Sequence, residues 1–260
     1  VKFMSVGYHA GKIRNSKSFL EAQPHMNALL EKNTKAAAEA LENAGLRHKV
    51  GAIAEMSAQW LASMKKRRSV PALIEYGLKS KNPELVNGAA VALGEIGDKR
   101  ATLSIIKYGV KGPVGAHRNS VMALGHIGDE RAVSILMKTL DHRSENMMGD
   151  AIRALGQIGD KRAVKKLIRK GLSHPNKSIV HSTIRALAKI GGREAIRAAA
   201  ERGLRDPDRF MVYQTVGDFA DAGHKEALPY LMSIADHEDG RMVREYVKKA
   251  IRKLQGAKDA

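Results

Sequence analysis

Cysteine is absent from the 260 residues, so the chain has no disulfide framework, no thiolate nucleophile and no Cys-ligated zinc or iron–sulfur centre. Aromatic residues make up only 4%, which leaves few rings for stacking on the bases of a single strand. No apolar run approaches the roughly 20 residues of a membrane-spanning helix, so no membrane partner is expected. Phosphate-cradling Gly-rich loops and Gly-x-Ser-x-Gly elbows are missing as well. The ten histidines form no ligand set: His237-Glu238 is a lone His-Glu pair, with no second His at the spacing of a zinc helix. These absences point to no catalytic group, no metal, no cofactor and no evident small-molecule substrate. Acidic residues are scarce too, with 27 Asp+Glu against 45 Lys+Arg and a formal net charge of +18. A field of that sign favours an acidic partner and says nothing about fold. What the chain does have is 43% hydrophobic residues, enough to build a core.

That hydrophobic content is periodic. Ala92-Leu-Gly-Glu-Ile-Gly-Asp-Lys-Arg-Ala101 recurs as Ala123-Leu-Gly-His-Ile-Gly-Asp-Glu-Arg-Ala132 and as Ala154-Leu-Gly-Gln-Ile-Gly-Asp-Lys-Arg-Ala163. Looser copies begin at Ala186 and Asp218, and a worn one at Trp60. A second register runs through Gly45, Gly77, Gly109, Gly171 and Gly203, each ending a helical pattern; the third copy has Thr139-Leu140-Asp141 there instead. Each unit reads as two helices. The first carries apolar residues at helical spacing (Ile152, Leu155, Ile158) and stops at an Ile-Gly pair suited to a left-handed C-cap. Asp98, Asp129 and Asp160 then cap the second helix. A two-helix unit cannot bury its own apolar stripe, so neighbours must stack.

The Ala-Leu-Gly-x-Ile-Gly-Asp-x-Arg-Ala-Val string resembles HEAT-like repeats of the type first described in phycobilisome lyases, over roughly residues 47–254. The resemblance implies an all-α fold, an alpha-alpha superhelix (solenoid) of about six two-helix repeats. It is nearly silent on function, since such repeats serve adaptors, scaffolds, regulators and some enzymes. One departure stands out. The Arg that usually opens the first helix survives only at Arg244, and its column otherwise holds Val86, His117, Met148, Val180 and Val212. Apolar contact is expected to replace a polar ladder there. The motif Arg100, Arg131 and Arg162 are expected to pair with their capping Asp.

The ends differ from the middle. Residues 1–25 read as a basic N-terminal arm, with Lys2, Lys12, Arg14 and Lys17 ahead of the first acid, Glu21. Such an arm lies on the first repeat, grips a partner or serves as a targeting segment. Residues 26–46 read as an N-terminal helical cap. Residues 47–260 read as the solenoid, closed by a capping helix that turns Val247, Ala250, Ile251 and Leu254 inward and Lys248, Lys249, Arg252 and Lys253 outward.

Charge is uneven along the chain. Residues 141–204 hold 14 basic and 6 acidic side chains, whereas residues 205–260 hold 10 of each. Aligned second helices give one series Arg68, Arg100, Arg131, Arg162, then Glu194 and Glu226, and another Lys107, Lys138, Arg169, then Glu201. In HEAT-type solenoids the second helices line the concave face, so the resemblance implies a groove basic at one end and acidic at the other. The densest point is residues 161–172, where Lys161, Lys165 and Arg169 form one i, i+4 line beside Arg162, Lys166 and Lys170. Lys65, Lys66, Arg67 and Arg68 form a second cluster. Lys65 to Arg68, Lys107, Lys138, Lys161, Lys165, Lys166, Arg169 and Lys170 are therefore the candidate contacts of a cytoplasmic, non-catalytic binding module. Its expected partner is a nucleic-acid backbone, bound without sequence specificity, or an acidic protein surface. One alternative is a protein–protein adaptor using the groove, with its acidic end around Asp206 to Asp239. The resemblance adds another, a phycobilin-lyase-like chromophore transfer.

Overall fold

The computed structural model describes residues 4–65, 67–112, 117–235 and 241–256, and every regular element among them is helical. The chain divides into two compact units, residues 1–132 and 133–260. The first holds α1 (Val6–Asn15), α2 (Phe19–Lys32), α3 (35–45), α4 (Gly51–Ser63), α5 (67–78), α6 (Pro83–Ile96), α7 (99–110) and α8 (His117–Ile127). Helix α6 packs between α4 and α8 and against α5. The second unit holds α9 (Val133–Thr139), α10 (Glu145–Ile158), α11 (161–172), α12 (Lys177–Ile190), α13 (Arg193–Gly203), α14 (Arg209–Ala222), α15 (225–235) and α16 (Arg241–Gln255). There α12 packs between α10 and α14 and carries α11 and α13 on its side, while α16 closes on α14 and α15.

Local chemistry sets the helix boundaries. First helices start at short polar side chains that accept early backbone N–H bonds: Asn82 from Glu84, Ser144 from Met147, Asn176 from Ser178 and Asp208 from Phe210. They stop at the expected left-handed glycines, as at Gly97 (φ 69°) and Gly159 (φ 76°). The second glycine register works differently. Gly109 and Gly171 sit where a Cβ would lie 2.1 Å from the Ser120 and Thr183 hydroxyl oxygens of the next first helix. Those positions are glycine because a helix crosses there, not because the backbone needs a positive φ. Four members of the Arg column are apolar contacts, with Val86, Met148, Val180 and Val212 buried, while His117 is half-buried with Nε2 2.9 Å from the Gly112 carbonyl.

Successive first helices touch through a Gly–Ala pair. A Cβ on Gly156 would stand 2.8 Å from Ala186 Cα and 2.9 Å from its Cβ, and Gly94 meets Ala123 in the same way in the first unit. Backbone cannot give way as a flexible side chain can. Gly156→Ala is therefore expected to cost about 1–3 kcal/mol through overpacking, read as a lower urea midpoint with helicity retained.

The N-terminal segment is helical where the structure describes it. Residues 6–15 form α1, which buries His9 and Ile13 and packs on α2 and α3. His9 and Ile13 are one turn apart and make a stripe that closes on the first-unit core, so the boundary drawn at 25/26 falls inside α2. Lys2 lies outside the described residues. At the other end Val247, Ala250 and Leu254 of α16 are buried, with Lys248, Lys249, Arg252 and Lys253 exposed.

Candidate anion-binding face

The motif arginines are structural. Asp98 Oδ1 accepts from Arg100 N at 2.9 Å and from Nε at 3.1 Å, while Arg100 Nη2 donates to the Arg67 carbonyl at 2.8 Å. Arg131 repeats the arrangement, pairing with Asp129 and donating to the Lys99 carbonyl at 2.7 Å. Arg162 pairs with Asp160. Each such Arg ties its own capping Asp, and the bonds of Arg100 and Arg131 to carbonyls reach back one repeat. The Arg131 guanidinium, aided by the Thr102 hydroxyl at 2.8 Å, holds the buried Asp129 carboxyl at a pKa of about 2 against burial.

A second ladder links the ends of the second helices at a constant offset of 29 residues. The Arg47 guanidinium lies 4.1 Å from the Tyr76 ring centroid, and the Lys79 ammonium 6.0 Å from that of Tyr108. In the second unit the same offset joins Asp141 to Lys170 at 2.9 Å, and Lys166 joins them at 2.6 Å. The two lysines pull the Asp141 carboxyl down to a pKa of about 2.

These contacts sort the candidate residues. Lys65 and Arg67 are exposed, Arg68 is bound to Glu39 at 2.6 Å, and Lys66 lies outside the described residues. Lys107 is exposed, with its ammonium 5.0 Å from the neighbouring Tyr108 ring. The dense cluster on α11 separates into two lines. Arg162, Lys166 and Lys170 each have a carboxylate partner. Lys161, Lys165 and Arg169, together with Lys138 on α9, are exposed and form no ion pair among the described residues.

Two further members escaped the sequence reading. Arg193 and Arg197 stand 32 residues beyond Lys161 and Lys165, on α13, and are likewise exposed and unpaired among the described residues. Stepping the repeat from the lysines, instead of from the motif Arg, finds them. The second unit thus presents Lys138 on α9, Lys161, Lys165 and Arg169 on α11, and Arg193 and Arg197 on α13, with Glu201 closing one corner. Within a line these charges are about 6 Å apart, and neighbouring helices are about 10 Å apart. No aromatic residue occurs on α9, α11 or α13. Within the acidic end expected around Asp206 to Asp239, Asp206 pairs with Arg202 and Asp208 with Lys177. His237, Glu238 and Asp239 lie outside the described residues.

A second polar cluster occupies the same unit on its first helices. Arg185 Nε of α12 donates to Oδ1 of the buried Asp218 of α14 at 2.8 Å. His181 Nε2 stands 3.3 Å from Asp218 Oδ2 without hydrogen-bond alignment, so both atoms are buried and unsatisfied. Beside them lies a cavity of about 350 Å³ lined by Arg185, Lys189, Asp218, Asp221 and Ala222. An adjoining space of about 110 Å³ adds Tyr213 and Tyr246, whose rings stack at 3.9 Å. Burial, then Tyr213 and nearby carboxylates, push the Tyr246 hydroxyl pKa up.

Comparison with known proteins follows the fold. HEAT repeats match over residues 115–169 and 151–216. No curated protein matches the chain. Among solved structures, the complex of CpcE and CpcF of phycocyanin lyase from Nostoc sp. PCC7120 shares 20% identity over 96% of this chain and 95% of that one, with a TM-score of 0.52. Human deoxyhypusine hydroxylase in complex with glycerol shares 19% identity over 96% of each chain at a TM-score of 0.45. An engineered protein shares 20% identity over 95% of this chain and 77% of that one at 0.48. Among the described residues no helix is long and apolar enough to cross a membrane. The repeat match and the helix pairs packed in succession agree: residues 115–216 are HEAT repeats, within a fold that is helical throughout the described residues.

Proposed function

We propose that this chain is a non-catalytic binding module whose second-helix face on α9, α11 and α13 holds a nucleic-acid backbone. The observation that carries this reading is the set of six exposed cations without ion-pair partners among the described residues, at repeat-related positions on three successive helices. Like charges at i, i+4 destabilise a helix by a few tenths of a kcal/mol per pair. Lys166 and Lys170 on α11 have the Asp141 carboxylate; these six have no carboxylate partner among the described residues, which leaves them for an external anion. Without rings on these helices, the bases themselves find no stacking platform, so recognition falls on phosphates and carries little sequence information.

Fluorescence anisotropy of a labelled random duplex DNA, titrated across salt, tests the reading. Six phosphate contacts predict a log–log salt slope of about −5. A matching RNA and an acidic peptide of equal charge serve as parallel probes. No binding of either nucleic acid at low salt removes the proposal; tighter binding of the acidic peptide reassigns the face to an acidic protein.

A further inference from the structure

Asp218 stands in the column that elsewhere holds Ala92, Ala123, Ala154 and Ala186. Those alanines are buried, and Ala123 and Ala186 are the ones pressed against Gly94 and Gly156. At the next step along the repeat the glycine becomes Ala188 and the alanine becomes Asp218, so both sides of the seam grow. Helices α12 and α14 cannot close there as α10 and α12 do, and the cavity of about 350 Å³ lies beside the altered pair.

A buried carboxylate in an alanine position works against stability, and its environment compensates only in part. Oδ1 accepts from Arg185 Nε, while Oδ2 has no hydrogen-bond donor. The bond to Nε fixes the guanidinium and leaves its two terminal nitrogens without acceptors among the described residues, on a side chain that remains 51% exposed. Those nitrogens are the fork that grips phosphate or carboxylate through paired bonds. Lys189, one turn further along α12, lines the same cavity, is exposed and is also unpaired among the described residues. Asp221 at the rim is already held by Lys253 at 3.0 Å.

We propose that the cavity between α12 and α14 binds a small molecule carrying a phosphate or carboxylate group, with that group on Arg185 and Lys189 and the remainder reaching toward the Tyr213–Tyr246 stack. This site lies on the first helices and stands independently of the nucleic-acid reading. Asp218 acts as a positioning residue: it orients Arg185 and need not touch the ligand.

Isothermal titration of the full chain with ribose 5-phosphate, inorganic phosphate and succinate tests the site and separates the phosphate from the carboxylate form. Saturable binding of at least one probe is expected. Lys189→Ala should weaken it by about tenfold, the scale of one charge-assisted contact. Asp218→Ala should weaken it similarly while leaving the melting temperature unchanged or raised, because it restores the alanine of the repeat. The pair Lys165→Glu and Arg169→Glu should leave small-anion binding intact, which keeps this site distinct from the basic face. Absence of saturable binding by all three probes overturns the proposal. So does binding that survives Lys189→Ala and Asp218→Ala, or that is lost in the Lys165→Glu, Arg169→Glu pair.

Discussion

Neutralising Lys165 and Arg169 together, as Lys165→Gln and Arg169→Gln, is expected to weaken duplex binding about 30-fold at physiological salt, and their reversal to Glu by well over 100-fold. Neutralising Lys166 and Lys170 on the same helix should weaken it less, by about fivefold. Both double variants remove two positive charges from α11 and lower the net charge equally, so a purely global field would treat them alike. The difference comes from Asp141. Its carboxylate holds both Lys166 and Lys170, at 2.6 and 2.9 Å, so the three groups together present one net positive charge to a phosphate where Lys165 and Arg169 present two. Lys165 and Arg169 have no such partner among the described residues and stand at the centre of the face between Lys138 and Arg197. The salt slope should fall by about two for the first pair and by no more than about one for the second. Equal losses in the two variants would show that total charge governs binding and that no face exists. Circular dichroism should be unchanged in the Lys165, Arg169 variant, since neither residue supports another part of the fold.

Which parts of this were readable beforehand depends on the range of the forces involved. The helix pairs were legible because caps and apolar spacing act within a few residues: Asp98 caps Arg100 two positions on, and Gly97 ends α6 where it stands. The reason for Gly171 was not, because it lies in a crossing with Thr183 that only the packed helices create. The same limit hid the division of the α11 cluster. Lys166 and Lys170 look no different from Lys165 and Arg169 in sequence, and Asp141 lies 25 residues from Lys166. Arg193 and Arg197 went unread for another reason: the aligned series ran through Arg162 and Arg169, which lead to Glu194 and Glu201. Asp218 was visible as an irregular copy of the motif. Its consequence, a cavity and an oriented Arg185, appears only once α12 and α14 are packed together.

The Asp129 carboxyl is expected to be the most pH-sensitive support of the first unit. Its side chain is only 4% exposed, and it accepts from Arg131 N at 3.0 Å, Arg131 Nε at 2.9 Å and Thr102 Oγ1 at 2.8 Å. The Arg131 bonds depress its pKa from 3.8 to about 2. A carboxyl depressed in the folded state contributes stability that is fully present above its unfolded pKa and is lost as pH falls through the folded one. The window is therefore pH 4 down to pH 2, and the contribution lost across it is about 2 kcal/mol. Asp141 titrates over a similar range, but its side chain is half exposed and solvent screens its pairs. Asp129→Ala should cost about 3 kcal/mol at neutral pH, combining a lost cap with a Thr102 hydroxyl and an Arg131 guanidinium left without their acceptor. It should also flatten the decline in urea midpoint between pH 4 and pH 2. Asp98→Ala is the internal comparison. Asp98 caps and pairs in the same way but has no threonine partner and is more exposed, so about 1 kcal/mol is expected there. If the acid decline persists undiminished in Asp129→Ala, another carboxylate carries it and the buried Asp129–Arg131–Thr102 cluster is not the acid-sensitive element.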